Sequence, residues 1–244
     1  MQAYVTTSWD DGNRLDMKVY RLLEKYGLKG TFYVTLKKGR TLTENQIKKI
    51  SKKHEIGAHT VNHKRLTDLS RDEALLEIIN SKTGLERIIR SKVVAFAYPG
   101  GAHNAETRDM VKSCGFAYAR TVKLFDFCLE DPLSVGVTVE AYKSNFIGVL
   151  KNLLTSGPIG LKFFLSKGLP SNWISLAKST FDFVCKNGGV WHIYGHSKVI
   201  EELDLWVGLE EIFDYVSKPK IKSGGEVSYC TNSCTVARIG KRVR

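Results

Sequence analysis

Short apolar runs rich in β-branched and aromatic residues alternate along this chain with longer stretches of helical periodicity, and that alternation restricts the fold more than any other feature. Residues 3–9 (AYVTTSW), 30–35 (GTFYVT), 55–58 (EIGA), 93–97 (VVAFA), 116–120 (FAYAR) and 190–194 (VWHIY) read as strands. Between them, Leu15, Val19, Leu22, Leu23 and Tyr26 recur at helical spacing before Gly27, where a helix-ending glycine belongs. Thr43 with Gln46 and Ser70 with Glu73 are capping boxes, opening helices over 44–52 and from 70 onward. Asn104 caps a further helix that stops near Gly115. The middle of the chain predicts a strand at 133–139, a helix near 144–155 and an extended piece at 159–165. Helices follow at 172–187 and, as the last, at about 201–216. Strands alternating with helices imply a parallel sheet, and seven or eight such units in about 220 residues fit a closed or nearly closed β/α barrel better than an open sheet.

Composition excludes several other classes. Apolar residues make up 43% and charged residues 25%, as in ordinary globular proteins. No apolar run reaches the length of a membrane span and no secretory signal pattern opens the chain, so a cytoplasmic protein is expected. Five scattered cysteines do not form a disulfide framework. Cys230 and Cys234 supply half a zinc site at most and read as buried or idle thiols. The formal charge is +12, and residues 218–244 carry seven basic side chains against Glu226. Residues 1–217 are therefore expected to form one catalytic domain and 218–244 a basic, solvated tail. Without an aromatic stacking platform, that tail gives nucleic-acid binding little support. No dinucleotide fingerprint or P-loop follows the first strand.

The polar residues of chemical interest gather at one kind of place. Asp10 and Asp11, His59 and His63, Tyr98-Pro99, Arg120 and His196 all lie just past the carboxyl ends of predicted strands. In a β/α barrel those ends share one face, the one that carries active sites. Adjacent residues leaving a strand point in different directions, so Asp10 and Asp11 can serve two tasks. As a turn and helix cap, the same Asp-Asp-Gly would be unremarkable punctuation. His59 and His63 are spaced to share one side of a helical turn. Two imidazoles and one carboxylate leave a metal position open for water, as in hydrolytic zinc sites.

In this order the motifs resemble those of the polysaccharide deacetylase family (NodB homology, carbohydrate esterase type). Thr7-Ser8-Trp9-Asp10-Asp11-Gly12 is similar to the family's T-F-D-D-G, and His59-Thr60-Val61-Asn62-His63 to its H-[ST]-x-x-H. Phe96-Ala97-Tyr98-Pro99-Gly100-Gly101 falls where R-x-P-Y-G lines the groove, and Gly195-His196 matches the last motif. The resemblance implies a distorted barrel and one divalent metal, most simply zinc, on Asp11, His59 and His63. It implies Asp10 as catalytic base and His196 as general acid. The substrate implied is an N-acetylated sugar or oligosaccharide, losing its acetyl group by hydrolysis of a non-peptide C–N bond. Trp9, Tyr98, Pro99 and Gly100 become substrate-binding candidates, with Trp173 and Trp191 as further sugar-stacking or wall residues. Two departures stand out. The family arginine that holds the base is replaced by Ala97, so Arg120, ending the next strand, is expected to hold Asp10 through a bidentate contact. The Asp/Trp-containing loop that supports the acid histidine has no clean counterpart around Phe125–Asp131. Two other readings stay open: an enzyme opening a cyclic amide or ureide, and a non-catalytic glycan- or metal-binding domain.

Overall fold

A computed structural model describes residues 1–37, 39, 41–142, 156–168, 170, 172–219 and 225–240. Its centre is strand β1 (Gln2–Trp9), buried from Ala3 onward, which explains its almost unbroken run of β-branched, aromatic and small residues. Among the described residues all strand pairs are parallel, in the order β5 (Tyr118–Arg120), β4 (Ala95–Ala97), β3 (Glu55–Ala58), β2 (Gly30–Val34), β1, β7 (Gly189–Gly195) and β6 (Val139–Glu140). The result is a curled, barrel-like sheet, as the alternation implies.

The predicted strand at 133–139 is instead an irregular closing segment, with regular pairing only at Val139–Glu140. Near its start the Ala119 amide donates to the Pro132 carbonyl, and the Val135 amide donates back to Ala119. Near its end the Thr138 and Ala141 amides donate to His192 and Tyr194 of β7. The stretch thus bridges the two edges of the sheet and leaves neither fully open.

Helices α1 (Asp16–Lys25), α2 (Glu44–Ser51), α3 (Arg71–Ile89) and α4 (Ala105–Ser113) form where periodicity and caps place them. The capping boxes of Thr43 with Gln46 and Ser70 with Glu73 are both made. The expected helix near 144–155 lies outside the described residues. The piece read as extended at 159–165 is helical, α5 (Gly157–Lys167), burying Phe163 while Ile159, Leu161 and Leu165 stay exposed. After α6 (Trp173–Asn187), the single helix expected at 201–216 is two, α7 (Ser197–Glu202) and α8 (Trp206–Ser217). Asp204 between them takes a left-handed conformation (φ 51°). Among the described residues no helix is long and apolar enough to cross a membrane.

Part of the segment read as a solvated tail is packed into the molecule. Strand β8 (Glu226–Tyr229) pairs with Gln2–Val5 of β1, while β2 pairs only with Thr7–Trp9. Because β7 occupies the other flank of β1, β8 fills the wedge where β1 and β2 part. Helix α9 (Asn232–Gly240) follows. Its fully buried Asn232 accepts from Thr6 Oγ1 at 2.7 Å, and donates to Tyr33 Oη and, through its amide, to Thr31 Oγ1, each at 3.0 Å. All five cysteines are free, and burial pushes the Cys230 thiol up to about 11.

Candidate active site

The carboxyl ends of the strands bring together the residues singled out by position. Asp10 is buried at the end of β1, its amide donating to the Gly195 carbonyl at 3.1 Å. Asp11 is half-buried in a left-handed conformation (φ 76°), which aspartate tolerates better than most side chains. Gly12 continues the turn at φ +68°, where a Cβ would stand 2.8 Å from Val34 Cγ1, so this position excludes any side chain.

His59 and His63 meet with ring centroids 4.8 Å apart, but not on a helical turn. The segment is a loop in which Thr60 and His63 have φ of 60° and 58°. A left-handed threonine is a true outlier for a β-branched residue, and such conformations persist only where surroundings fix them. Here Glu77 of α3 fixes it, accepting from the Val61 and Asn62 amides at 2.8 and 2.9 Å and from Asn62 Nδ2 at 2.6 Å.

Asp11, His59 and His63 offer one ligand atom each, all within 4.8 Å of one another. His63 Nε2 lies 3.3 Å and His59 Nε2 3.8 Å from Asp11 Oδ1. His59 Nδ1 donates to the Ala97 carbonyl at 2.8 Å, which leaves Nε2 facing the cluster. Burial, partly offset by Asp10, pushes the His59 imidazole down to about 4, so it is neutral at pH 7. His59 Nε2, Asp11 Oδ1 and Asp10 Oδ1 are buried without a hydrogen-bond partner among the described residues. An orphaned imidazole nitrogen of His59 and an orphaned carboxylate oxygen of Asp11, clustered with the His63 imidazole, are what a divalent cation of the zinc type requires, so Asp11, His59 and His63 fit such an ion.

Arg120 reaches Asp10 as the strand order allows. Its Nη2 forms a buried ion pair with Asp10 Oδ2, and Nη1 donates to the Thr121 carbonyl at 3.1 Å. The guanidinium lies between the rings of Tyr33 and Tyr194, at 5.1 and 4.9 Å. The contact is single rather than bidentate, since Asp10 Oδ1 has no partner and Arg120 Nε makes no hydrogen bond. Burial raises the Asp10 carboxyl, but Arg120, with His59 and His196, outweighs it and holds Asp10 below the usual range.

His196 stands on the far flank, its Nε2 3.9 Å from Asp10 Oδ2. Its neighbour Ser197 donates to the buried Asp16 at 2.5 Å, tying the start of α7 to α1. Tyr142 Oη lies 3.3 Å from His196 Nδ1, and Tyr194 Oη donates to Glu140 at 2.5 Å. Asp16, Glu77, Glu140, Tyr142 and Tyr194 were not singled out from sequence. The strand-end rule that selects Arg120 also covers Glu140 and Tyr142, had the end of β6 been placed.

Most of the aromatic candidates belong to the core. Trp9, Trp191 and Tyr98 are fully buried, with Trp9 Nε1 donating to Thr7 Oγ1 at 3.0 Å, Trp191 Nε1 to the Ala177 carbonyl at 3.0 Å and Tyr98 Oη to the Leu133 carbonyl at 3.1 Å. Trp173 packs between helices beside Gly208. Pro99 is buried, whereas Gly100 is exposed (φ +63°) beside the Arg65 guanidinium. Next to the metal-type cluster, a cavity of about 350 Å³ is lined by Asp11, Asn13, Thr35, Lys37, Thr41, His63 and Lys198.

The profile of the family described as "Polysaccharide deacetylase" matches residues 2–119. Over 124 residues the chain is 27% identical to YxkH of Bacillus subtilis (strain 168), assigned by name to the polysaccharide deacetylases. That match covers 49% of this chain and 44% of YxkH, so it spans under half of the relative. A Mycobacterium smegmatis structure, likewise assigned by name to the polysaccharide deacetylases, superposes with a TM-score of 0.66 at 16% identity. It covers 99% of this chain and 90% of that one. The Xyl-CE4 domain of a multidomain xylanase from the hindgut metagenome of Trinervitermes trinervoides gives 0.58 at 14% identity, covering 98% and 92%. At such identities these two structures speak for the fold alone. The chain is thus similar to the polysaccharide deacetylase family over residues 2–119, just under half of its length, and shares the fold of the Mycobacterium smegmatis structure over nearly all of it.

Proposed function

We propose that the protein is a metal-dependent hydrolase that removes the acetyl group from an N-acetylated sugar or oligosaccharide. The observation that carries this reading is the juxtaposition, at one end of the sheet, of the Asp11–His59–His63 cluster with a carboxylate, Asp10, held ionised by Arg120. A pure metal- or glycan-binding domain has no use for that second, oriented carboxylate.

Asp11, His59 and His63 would hold the ion. When bound, a divalent metal supplies Lewis acidity toward a water and the amide carbonyl, and the mixed imidazole–carboxylate set favours zinc. Asp10 accepts the proton of the attacking water. Oδ2 is engaged by Arg120 and Oδ1 is free of hydrogen bonds, so Oδ1 is the receiving atom. Arg120 keeps the carboxylate charged and fixes its direction. A backbone N–H near Gly100, just past the end of β4, would stabilise the carbonyl oxygen as charge develops there. His196 gives a proton from Nε2 to the leaving nitrogen as the C–N bond breaks, so the products are acetate and a free amine. The cavity beside the cluster is polar and carries Lys37 and Lys198. Sugar hydroxyls are therefore met by hydrogen bonds rather than by a tryptophan face.

The test is a panel of N-acetylated sugars set against cyclic ureides, with acetate and amine release followed in zinc-loaded and chelated protein. Metal-dependent release of acetate is expected. Turnover of a ureide with none of the acetylated sugars would overturn the reading.

A further inference from the structure

We propose that the cavity beside the metal-type cluster selects an anionic N-acetylated sugar, one carrying a carboxylate or phosphate, and that Lys37 and Lys198 recognise the charge. The proposal rests on the deacetylase reading for its reaction, but the binding it claims is measurable without turnover.

The strand order sets the two lysines on either side of the site. Asp11 leaves the end of β1, which is flanked by β2 on one side and β7 on the other. Lys37 follows β2 and Lys198 follows β7, so the pair brackets the Asp11 turn. Both are exposed, and both line the cavity of about 350 Å³ that also contains Asp11 and His63. The Lys37 side is fastened to that turn by three contacts. The Leu42 amide donates to the Gly12 carbonyl at 2.7 Å, Asn13 and Thr41 form a short antiparallel bridge, and Thr35 Oγ1 donates to the Asp11 carbonyl at 3.1 Å. On the Lys198 side, Ser197 donates to the buried Asp16 at 2.5 Å. The backbone that carries each lysine is thus tied to the elements that carry the metal ligands.

The charge of this cavity is uneven. Asp11 is the one acidic residue in its lining, and a carboxylate that holds a divalent ion is neutralised by it. Asp10 is already paired with Arg120. Among the described residues Lys37 has no acidic partner, while Lys198 Nζ lies 3.5 Å from Glu202 Oε1. Both side chains of that pair are more than half exposed, and such contacts are weak enough to yield to a ligand. A neutral sugar leaves the two cations unanswered. Lysine donates but cannot accept, whereas Asn13 and Thr41 already serve hydroxyls in both senses. A carboxylate or phosphate accepts charge-assisted hydrogen bonds from ammonium groups, which are shorter and stronger than neutral ones. The cavity stands at the small end of ligand sites, which suits a single sugar ring with its substituent. With the acetamide at the Asp11–His59–His63 cluster, the anion therefore belongs to the same sugar residue or to the one joined to it.

The test is ligand-observed NMR titration of the full chain, zinc-loaded and carrying Asp10→Asn so that no turnover intervenes. The probes are N-acetylglucosamine, its 6-phosphate, N-acetylmuramic acid as the carboxylate-bearing counterpart, and inorganic phosphate alone. At low salt at least one charged sugar should bind about 10-fold or more tighter than the neutral one, and the tighter of the two identifies the anion. That advantage should shrink between about 0.01 M and 1 M salt, as the Debye length falls from about 30 Å to about 3 Å. Adding Lys37→Met or Lys198→Met should each remove part of the advantage and the pair together nearly all of it. Both lysines are exposed, so an unchanged Tm is expected in these variants. Equal Kd values for neutral and charged sugars, or an advantage that survives loss of both lysines, would overturn the proposal. So would inorganic phosphate binding as tightly as the sugar phosphate, which would mark a bare anion site, or binding of none of the sugars. A charged sugar held through both lysines but never deacetylated by the wild-type chain would refute the reaction and not the recognition. Acetate released from neutral and charged sugars alike, with equal Kd values, would refute the recognition and not the reaction.

Discussion

Replacing Arg120 by methionine removes the positive partner of Asp10 while keeping much of the side-chain volume. Arg120 is wholly buried and the Asp10 side chain is only 4% exposed, so water cannot take over the lost contact. Removing one member of a buried ion pair costs about 3–5 kcal/mol, because the other charge is left uncompensated. The two ring contacts, with Tyr33 and Tyr194, add about 1 kcal/mol each. Protonation of Asp10 would recover part of this, so a net loss of about 3–5 kcal/mol is expected. For a chain of this size it corresponds to a Tm lowered by about 6–20 °C. The assay is thermal and urea unfolding in chelator, where Arg120 is the cation paired with Asp10. Arg120→Met, Asp10→Asn and the double variant form a cycle. The double variant should recover at least about 2 kcal/mol relative to the sum of the singles. A cycle that closes with no coupling would refute the claim that Asp10 depends on Arg120. With metal restored, Arg120→Met should also lose about 10²–10⁴ in turnover, through a misdirected base.

Other consequences are as open to measurement. Glu77→Gln removes one carboxylate oxygen from the clamp on the His59–His63 loop, and should weaken zinc affinity about 10–100-fold in a chelator competition; unchanged affinity would show the loop to be rigid without it. His54 is lowered from 6.5 to about 4 chiefly by burial, so the unfolded chain binds its proton more tightly than the folded one. Its contribution is therefore present above the unfolded pKa and fades as pH falls from 6.5 toward 4, by about 3 kcal/mol in all. The acid-induced fall in urea midpoint should be smaller in His54→Gln, and an identical fall would assign it elsewhere. Asn232→Ala orphans the hydroxyl of Thr6 and removes the donor to Tyr33, for a loss of about 2–4 kcal/mol by thermal unfolding. A loss below about 0.5 kcal/mol would return residues 226–240 to the status of an independent tail.

The fold and the site were legible to different depths for physical reasons. Strands such as Ala3–Trp9 are buried on both faces, so their composition alone marks them, and the capping boxes mark the helices that follow. The strand-end rule found Asp10, Asp11, His59, His63, Arg120 and His196 because a parallel sheet forces those ends to one side. What composition obscures is contact. A count of lysines and arginines over 218–244 hid Val227, Tyr229, Cys230 and Asn232, which pack against the sheet. Residues 157–167 are apolar nearly all round and lack the polar face that identifies a helix. The histidine spacing did bring the two imidazoles together, but by a strained loop held from α3, an interaction across sequence that periodicity does not reveal. Likewise Trp9, Tyr98 and Trp191 have the chemistry of sugar platforms, and only their burial shows that they are core.

The central claim is that Asp11, His59 and His63 hold a metal that Asp10 uses for deacetylation. It is tested most directly by measuring acetate release and bound zinc together in wild type, Asp10→Asn and His59→Ala. Wild type should bind about one ion and release acetate from an N-acetylated oligosaccharide. Asp10→Asn should keep the ion and lose about 10²–10⁴ in rate, whereas His59→Ala should lose both. Full zinc occupancy in His59→Ala, or undiminished turnover in Asp10→Asn, would contradict the account.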